Sequence, residues 1–354
     1  MTTAKDKIRV QKISLANPIL IFIVLILLLL VLFIIDLAIG SEIYSVKELF
    51  SMLKGGGSEI DRKILSTFRL PRALTAILAG IALSVSGLQM QTIFRNPLAG
   101  PYVLGISSGA SLGVAILILG LSSVLSFSGI SISGNWALVL ASWAGAGVVM
   151  LLIMFVSSRV RDIMTVLILG IMIGSAISAF VSILQYFSNE SLLKAFVIWT
   201  MGSLGNLSWN QINVLIICVL SGVLISLLSL KRLDALILGE DYARTMGLNI
   251  KSTRFIIFAG TSILAGSVTA FCGPISFLGI AVPHITRLVI GRSSHKYLIP
   301  GTVLLGSILL LLSDIVSQLP GSERVLPINS VTALIGIPVM IWIILRRNKL
   351  VSVA

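Results

Sequence analysis

The side chains able to do chemistry are few and scattered. The chain of 354 residues has two histidines, His284 and His295, and two cysteines, Cys218 and Cys272, with no C-x-x-C spacing. A site for a bare transition metal needs His, Cys and carboxylate ligands brought together, and these residues give no such cluster. The phosphate-cradling pattern G-x-x-x-x-G-K-[ST] occurs nowhere, so no P-loop is expected to hold ATP. Among the acidic residues only Asp36 and Asp314 fall near long apolar runs, both at helix ends. An ion-coupled carrier usually keeps an ionisable group inside the bilayer, and an enzyme would need clustered catalytic groups within its spans. Neither pattern is present. No cofactor and no metal are expected, and energy for any transport must come from a separate subunit.

The elements around these residues are those of a membrane protein. The composition is 56% hydrophobic and 11% charged, with a mean hydropathy of +1.08. A soluble domain carries about twice that charged share. The apolar residues fall in blocks of about 20, enough to cross about 30 Å of hydrocarbon as helix. Helices are expected over roughly 18–39, 70–93, 103–121, 136–157, 163–187, 211–230, 253–273, 275–290, 298–319 and 328–345. The fold class is therefore all-α and polytopic, one transmembrane domain over 1–354. The unbroken run Ile19–Ile35, behind Lys5, Lys7, Arg9 and Lys12, is too long for a signal h-region and is read as a retained first helix. With the N-terminus inside, most of the 26 Lys and Arg lie in cytoplasmic segments. Both termini are then cytoplasmic, and the net charge of +13 reports topology, not nucleic-acid binding. Two extramembrane segments exceed what a turn needs, 40–69 outside and 231–252 inside; such segments are where partners dock.

One stretch, RNPLAGPYVLGISSGAS at 95–111, interrupts this pattern with prolines and glycines. A shift of 186 residues aligns ILAG at Ile77–Gly80 with ILAG at Ile263–Gly266. The same shift pairs Thr75 with Thr261, Gly87 with Gly273, Pro97 with Pro283 and Gly105 with Gly291. The copies start at the second and seventh helices, five spans apart, so helices 2–5 and 7–10 form two repeats of inverted topology. In transporters such repeats meet near the midplane and their broken helices line the path. Asn96, Pro97, Gly105 and Pro283 are thus expected at paired helix breaks flanking a passage. Close helix packing is the plainer reading of the same glycines. A secondary transporter with inverted repeats is the alternative function; it would show an intramembrane ionisable residue and no cytoplasmic docking segment.

The chain resembles the FecCD-type permease subunits of ATP-driven importers for iron chelates (siderophores, haem) and cobalamin. The resemblance rests on RLPR at Arg69–Arg72, GIALSVSGLQMQ, RNPLAGPYVLGISSGAS, WTMGSLGNLSWN at Trp199–Asn210, LGEDYARTMGL at Leu238–Leu248 and GPISFLGIAVPHITRLVIG at Gly273–Gly291, with LSD and LP elements near Asp314 and Pro327. It implies ten helices per subunit in a bacterial cell (inner) membrane. The implied partners are a second permease subunit (the same chain or a paralogue), two cytoplasmic ATPase subunits and an external or periplasmic binding protein. It implies that LGEDYARTMGL couples to the ATPase through Gly239, Glu240, Ala243 and Gly247, with Ala243 small enough for close docking. It implies that Arg69 and Arg72 receive glutamates of the binding protein. Gln318 stands where the family often has an arginine, and Arg324 is the candidate to compensate. VLPIN replaces the common E-L-P-x-G, placing Val325 and Asn329 at the acidic and glycine positions. His284, beside Pro283, is expected to be structural. The lack of metal-ligating clusters favours a bulky chelate handled by shape.

Overall fold

The computed structural model describes residues 17–40, 42–120, 135–160, 162–205, 207–319 and 324–351. The basic start at Lys5–Lys12 and the outer Glu323 lie outside these residues. All regular structure among them is helical. In chain order the helices are α1 (Pro18–Ala38), α2 (Val46–Leu53), α3 (Glu59–Ile64), α4 (Leu70–Ile93), α5 (Ile106–Ala115), α6 (Asn135–Arg159), α7 (Ile163–Tyr186) and α8 (Glu190–Thr200). They continue as α9 (Trp209–Leu228), α10 (Leu230–Ile237), α11 (Glu240–Thr245), α12 (Ile250–Cys272), α13 (Leu278–Ile290), α14 (His295–Ser317) and α15 (Ile328–Val351).

Every apolar segment expected from the sequence is helical. Seven helical stretches are long and apolar enough to cross a membrane, and three shorter apolar helices cover Ile106–Gly120, Leu278–Ile290 and Ile328–Ile341. The outer segment 40–69 is more ordered than a linker. α2 opens with a capping box between Ser45 and Glu48, and α3 is capped by Ser58 accepting from the Asp61 N–H. From α3 the chain runs on into α4 through one wider turn, Leu65–Arg69, where the Leu70 N–H reaches back to the Leu65 carbonyl. Pro71 explains the widening, because its ring crowds the carbonyl four residues earlier and it brings no N–H.

α4 is the centre of the bundle, with 78% of its apolar window buried, against 11% for α1. Its neighbours approach at backbone distance. A Cβ added at Gly80 would collide with the Gly306 carbonyl oxygen of α14, and one at Gly87 with that of Gly279 in α13. In an apolar solvent, such contact supplies the dispersion that hydrophobic burial cannot. Polar side chains add ties: Gln89 on α4 donates to Ser226 of α9 at 2.7 Å and accepts from Thr261 of α12 at 2.8 Å.

Candidate functional site

Three regions bring the expected residues together: a central junction and the two ends of the bundle, labelled inner and outer by the orientation expected from the sequence. At the junction α4 stops at Ile93, and the chain returns through 94–105 without regular α-helix. Asn96 starts this return as a turn, its side chain accepting from the Leu98 N–H at 2.9 Å. The Pro97 carbonyl lies 2.9 Å from Nε2 of His284, which gives that histidine a bracing role. Gly105, left-handed at φ 73, packs against Gly170 and Gly174 of α7. At 1.5 Å per residue that contact lies roughly 10–17 Å along α7. Irregular backbone therefore reaches well into the bundle, where protein must satisfy its polar groups.

Pro283 does not break a helix. α13 runs continuously from Leu278 to Ile290 with Pro283 inside it. The carbonyl left without its N–H donor is that of Gly279, which lies against Gly87, so the close crossing shelters the gap. The break instead covers 273–277, with Gly273 at φ 75 and Phe277 at φ 68. It meets the return segment directly. The Tyr102 hydroxyl donates to the Ile275 carbonyl and accepts from the Ile275 N–H at 3.3 Å. Asn329, at the entry to α15, accepts from the Ser276 N–H at 3.0 Å, and its own N–H donates to the Met201 carbonyl at 3.3 Å. The asparagine at a family glycine position thus ties the 273–277 break to the end of α8.

At the inner end LGEDYARTMGL contains a short helix, α11, between two glycines of positive φ, 114 at Gly239 and 85 at Gly247. Glu240 is already engaged: Arg254 of α12 grips both its oxygens, with Nη2 at 2.7 and 2.8 Å. Arg254 also donates to the Val160 carbonyl at the end of α6, at 3.2 Å. Ala243 turns inward and is fully buried beneath α11. It is small to fit its own chain, so it presents no surface to a partner. The exposed face carries Leu238, Tyr242 and Met246, four residues apart and each more than half exposed. A second tie runs beside it. Asp234 on α10 accepts from the His295 backbone N–H at 2.8 Å and from Ser294 at 3.1 Å. The His295 ring lies between Asp234 and Thr92 of α4. Burial raises the Asp234 carboxyl, but the bonds from His295 and Ser294 outweigh it and leave it below its ordinary value.

The outer end is dominated by arginines turned into the protein. Arg69 is 8% exposed. It donates to the Leu37, Ala38 and Glu42 carbonyls and stacks 4.2 Å from the centroid of the Tyr44 ring. It caps the end of α1, where carbonyls lack partners. Arg72 forks onto Asp314 at 2.8–3.0 Å and donates to Ser317 at 3.3 Å. Gln318 donates to both Asp314 and Asp36, at 3.2 and 3.1 Å. The two buried carboxyls therefore share the Gln318 amide, while Arg72 pairs with Asp314. Arg324 is exposed nearby, on a segment held to α14 through Ser317 and Leu326. Burial, with the Asp61 carboxylate accepting its proton, pushes the Tyr44 hydroxyl up to about 12.

A model of the FecCD transport family matches residues 28–346. The chain belongs to the FecCD transport family. Vitamin B12 import system permease protein BtuC of Escherichia coli is 36% identical over 282 residues, covering 79% of this chain and 83% of the relative. Hemin transport system permease protein HmuU of Yersinia pestis is 35% identical over the same shares. A solved structure described as the inward-facing conformation of a metal-chelate type ABC transporter superposes with a TM-score of 0.81 at 29% identity, covering 93% of this chain and all of that one. PsaBC from Streptococcus pneumoniae, at 14% identity and a TM-score of 0.51, shares the fold alone. In this FecCD member, Arg254 and Tyr102 were not singled out from sequence, and Asn329 stood out there only as a departure from the family pattern. Of the first two, only Arg254 left a signal there. A cation near the start of an apolar helix opposes the helix dipole, and so requires a partner.

Proposed function

We infer that the chain is the membrane-embedded permease subunit of an ATP-driven importer for an iron chelate or cobalamin. The single observation carrying this is the family match over 28–346. The named roles of the BtuC and HmuU relatives, and the metal-chelate description of the structural neighbour, support the cargo. It works with a second permease subunit, two ATPase subunits and an external binding protein, and hydrolyses no ATP itself. The finer reading is ten spans in a bacterial cell membrane with both termini cytoplasmic, and two inverted repeats over helices 2–5 and 7–10 of the sequence count. The inward reach of 94–105 and its meeting with 273–277 favour two facing breaks beside a passage. Asn96, Pro97 and Gly105 belong to the first break; Pro283 supports the second from within α13.

At the inner face, 231–252 is the ATPase-docking segment. Gly239 and Gly247 set its backbone, Glu240 anchors it through Arg254, and Leu238, Tyr242 and Met246 face the ATPase. At the outer face, the accessible edge of Arg72, with Arg324, meets carboxylates of the binding protein, while Arg69 holds that surface in shape. Reconstitution with its ATPase and binding-protein partners tests the reading. ATP-dependent chelate uptake that needs all the components is expected. ATPase activity of the purified chain alone, or uptake driven by an ion gradient without ATP, overturns it.

A further inference from the structure

The outer segment 40–69 carries one surface that the importer reading does not use. α1 has 21 residues, about 30 Å of helix, which is the thickness of the hydrocarbon layer. Only 11% of its apolar window is buried, so lipid surrounds most of it and Ala38 marks the outer edge of that layer. The chain stays at this level. The Tyr44 N–H donates to the Ala38 carbonyl at 2.9 Å, and Arg69 gathers the carbonyls of Leu37, Ala38 and Glu42. α2 begins two residues after Tyr44, no more than about 7 Å farther on. A headgroup layer is about 5–8 Å thick, so α2 starts within it.

The side chains of α2 are sorted around its axis. At about 100° per residue, Leu49 and Met52 fall on one side, and both are buried against the protein. Val46, Phe50 and Leu53 form a stripe about a quarter-turn away, and each is more than half exposed. Lys47 and the C-cap Lys54 share the next quarter, while Glu48 and Ser51 lie opposite the apolar stripe. These four are exposed. Glu48 is turned back onto Ser45 in the capping box, so it does not oppose the lysines.

This order around the axis is that of a helix lying along a bilayer surface. The apolar stripe points to the acyl chains and the polar pair to water. The lysines project sideways at the level of lipid phosphates, their long stems keeping each ammonium in the polar layer. The stripe also continues a surface already in lipid, the flank of α1 where Leu30, Val31 and Ile35 are exposed. Acyl chains remove it from water without burying any polar group.

We propose that α2 is an interfacial helix docked on the outer phospholipid leaflet, with Val46, Phe50 and Leu53 at the acyl boundary and Lys47 and Lys54 at lipid phosphates. It sets the height of Arg69 and Arg72 above the bilayer, because the chain runs from α2 through α3 directly into α4. This docking depends on α1 crossing the bilayer, whatever the cargo is.

The test places the photo-crosslinking residue p-benzoylphenylalanine at Phe50 or, as control, at Ser51 of the full transporter. The complex is irradiated with its binding protein in nanodiscs of phosphatidylethanolamine and phosphatidylglycerol, and adducts are read by mass spectrometry. Phospholipid adducts at position 50, several-fold above those at 51, are expected. Lys47→Glu with Lys54→Glu should lower the yield at 50 several-fold, because carboxylates repel phosphates; a stripe merely packed on protein would not respond. An unchanged yield in that variant overturns the phosphate contacts. Adducts at 50 to the binding protein or to a second permease subunit overturn the docking, as does equal lipid labelling at 50 and 51. Absence of any adduct at 50 overturns it too, since that side then faces water. None of these readouts requires transport, so failure here leaves the importer reading standing, and loss of uptake leaves the docking standing.

Discussion

The two ends of the bundle use arginine differently. At the outer end, Arg69 and Arg72 are drawn inward, onto carbonyls and onto Asp314, and little of their charge faces outward. At the inner end, Arg254 lies beneath α11 and grips Glu240 from below, leaving apolar Leu238, Tyr242 and Met246 outside. The outer network joins α1, α4 and α14 around two buried carboxyls. The inner one fixes a six-residue helix that could not stand alone in water. At both ends an ion pair holds an element in place.

Breaking the outer network should have the largest effect. Arg72→Glu places a third carboxyl beside Asp314 and Asp36, and poor insertion or low yield is expected. Arg72→Ala strands Asp314 and should cost about 3–5 kcal/mol, as for a buried pair losing one partner. Arg72→Ala with Asp314→Asn sharpens the comparison. It should recover thermal stability in detergent yet still bind the binding protein weakly, with salt dependence reduced. Full recovery of affinity along with stability would discard docking by Arg72.

At the inner end, Arg254→Ala should lower transport more than ATPase assembly, because α11 loses its anchor; a loss of ~2–5 kcal/mol is expected for such a pair. Arg254→Lys should fall between, since lysine lacks the fork that reaches both Glu240 and the Val160 carbonyl. The ratio of chelate moved to ATP hydrolysed reads this out. Equal ratios in wild type and Arg254→Ala would remove the anchoring role.

Gly247 separates backbone from surface. At φ 85 any other residue is strained by ~1–3 kcal/mol, although a Cβ would meet open space. Gly247→Ala should lower coupling modestly and Gly247→Trp should abolish it, because only tryptophan adds bulk on the partner side. Substrate-stimulated ATPase in Gly247→Trp equal to that of Gly247→Ala would count against a partner at this face.

The smallest effect concerns the Asp234 tie. Its carboxyl lies below the ordinary 3.8, so its stabilisation is present above that value and fades as pH falls through the lower, folded value. Asp234→Asn should therefore cost about 1 kcal/mol at neutral pH, comparable to a lost helix cap, and flatten the acid limb of thermal stability. An unchanged acid limb would show that the tie contributes nothing.

Hydropathy alone places the seven long apolar helices, because a span must be long and apolar whatever surrounds it. The return at 94–105 was equally legible, since proline and glycine act through their own backbone chemistry. Pro283 shows where that reasoning stops: a proline ends a helix only if nothing shelters the freed carbonyl, and Gly87 on another helix supplies the shelter. Ala243 shows the same limit, as smallness does not say which side is crowded. The sequence by itself determined an all-helical membrane chain and its family motifs, because hydropathy, turn chemistry and residue identity are local. Only the tertiary structure decided which arginines face inward and that Glu240 is an anchor. Those outcomes depend on partners up to 242 residues away, as between Arg72 and Asp314, and no local pattern carries that information.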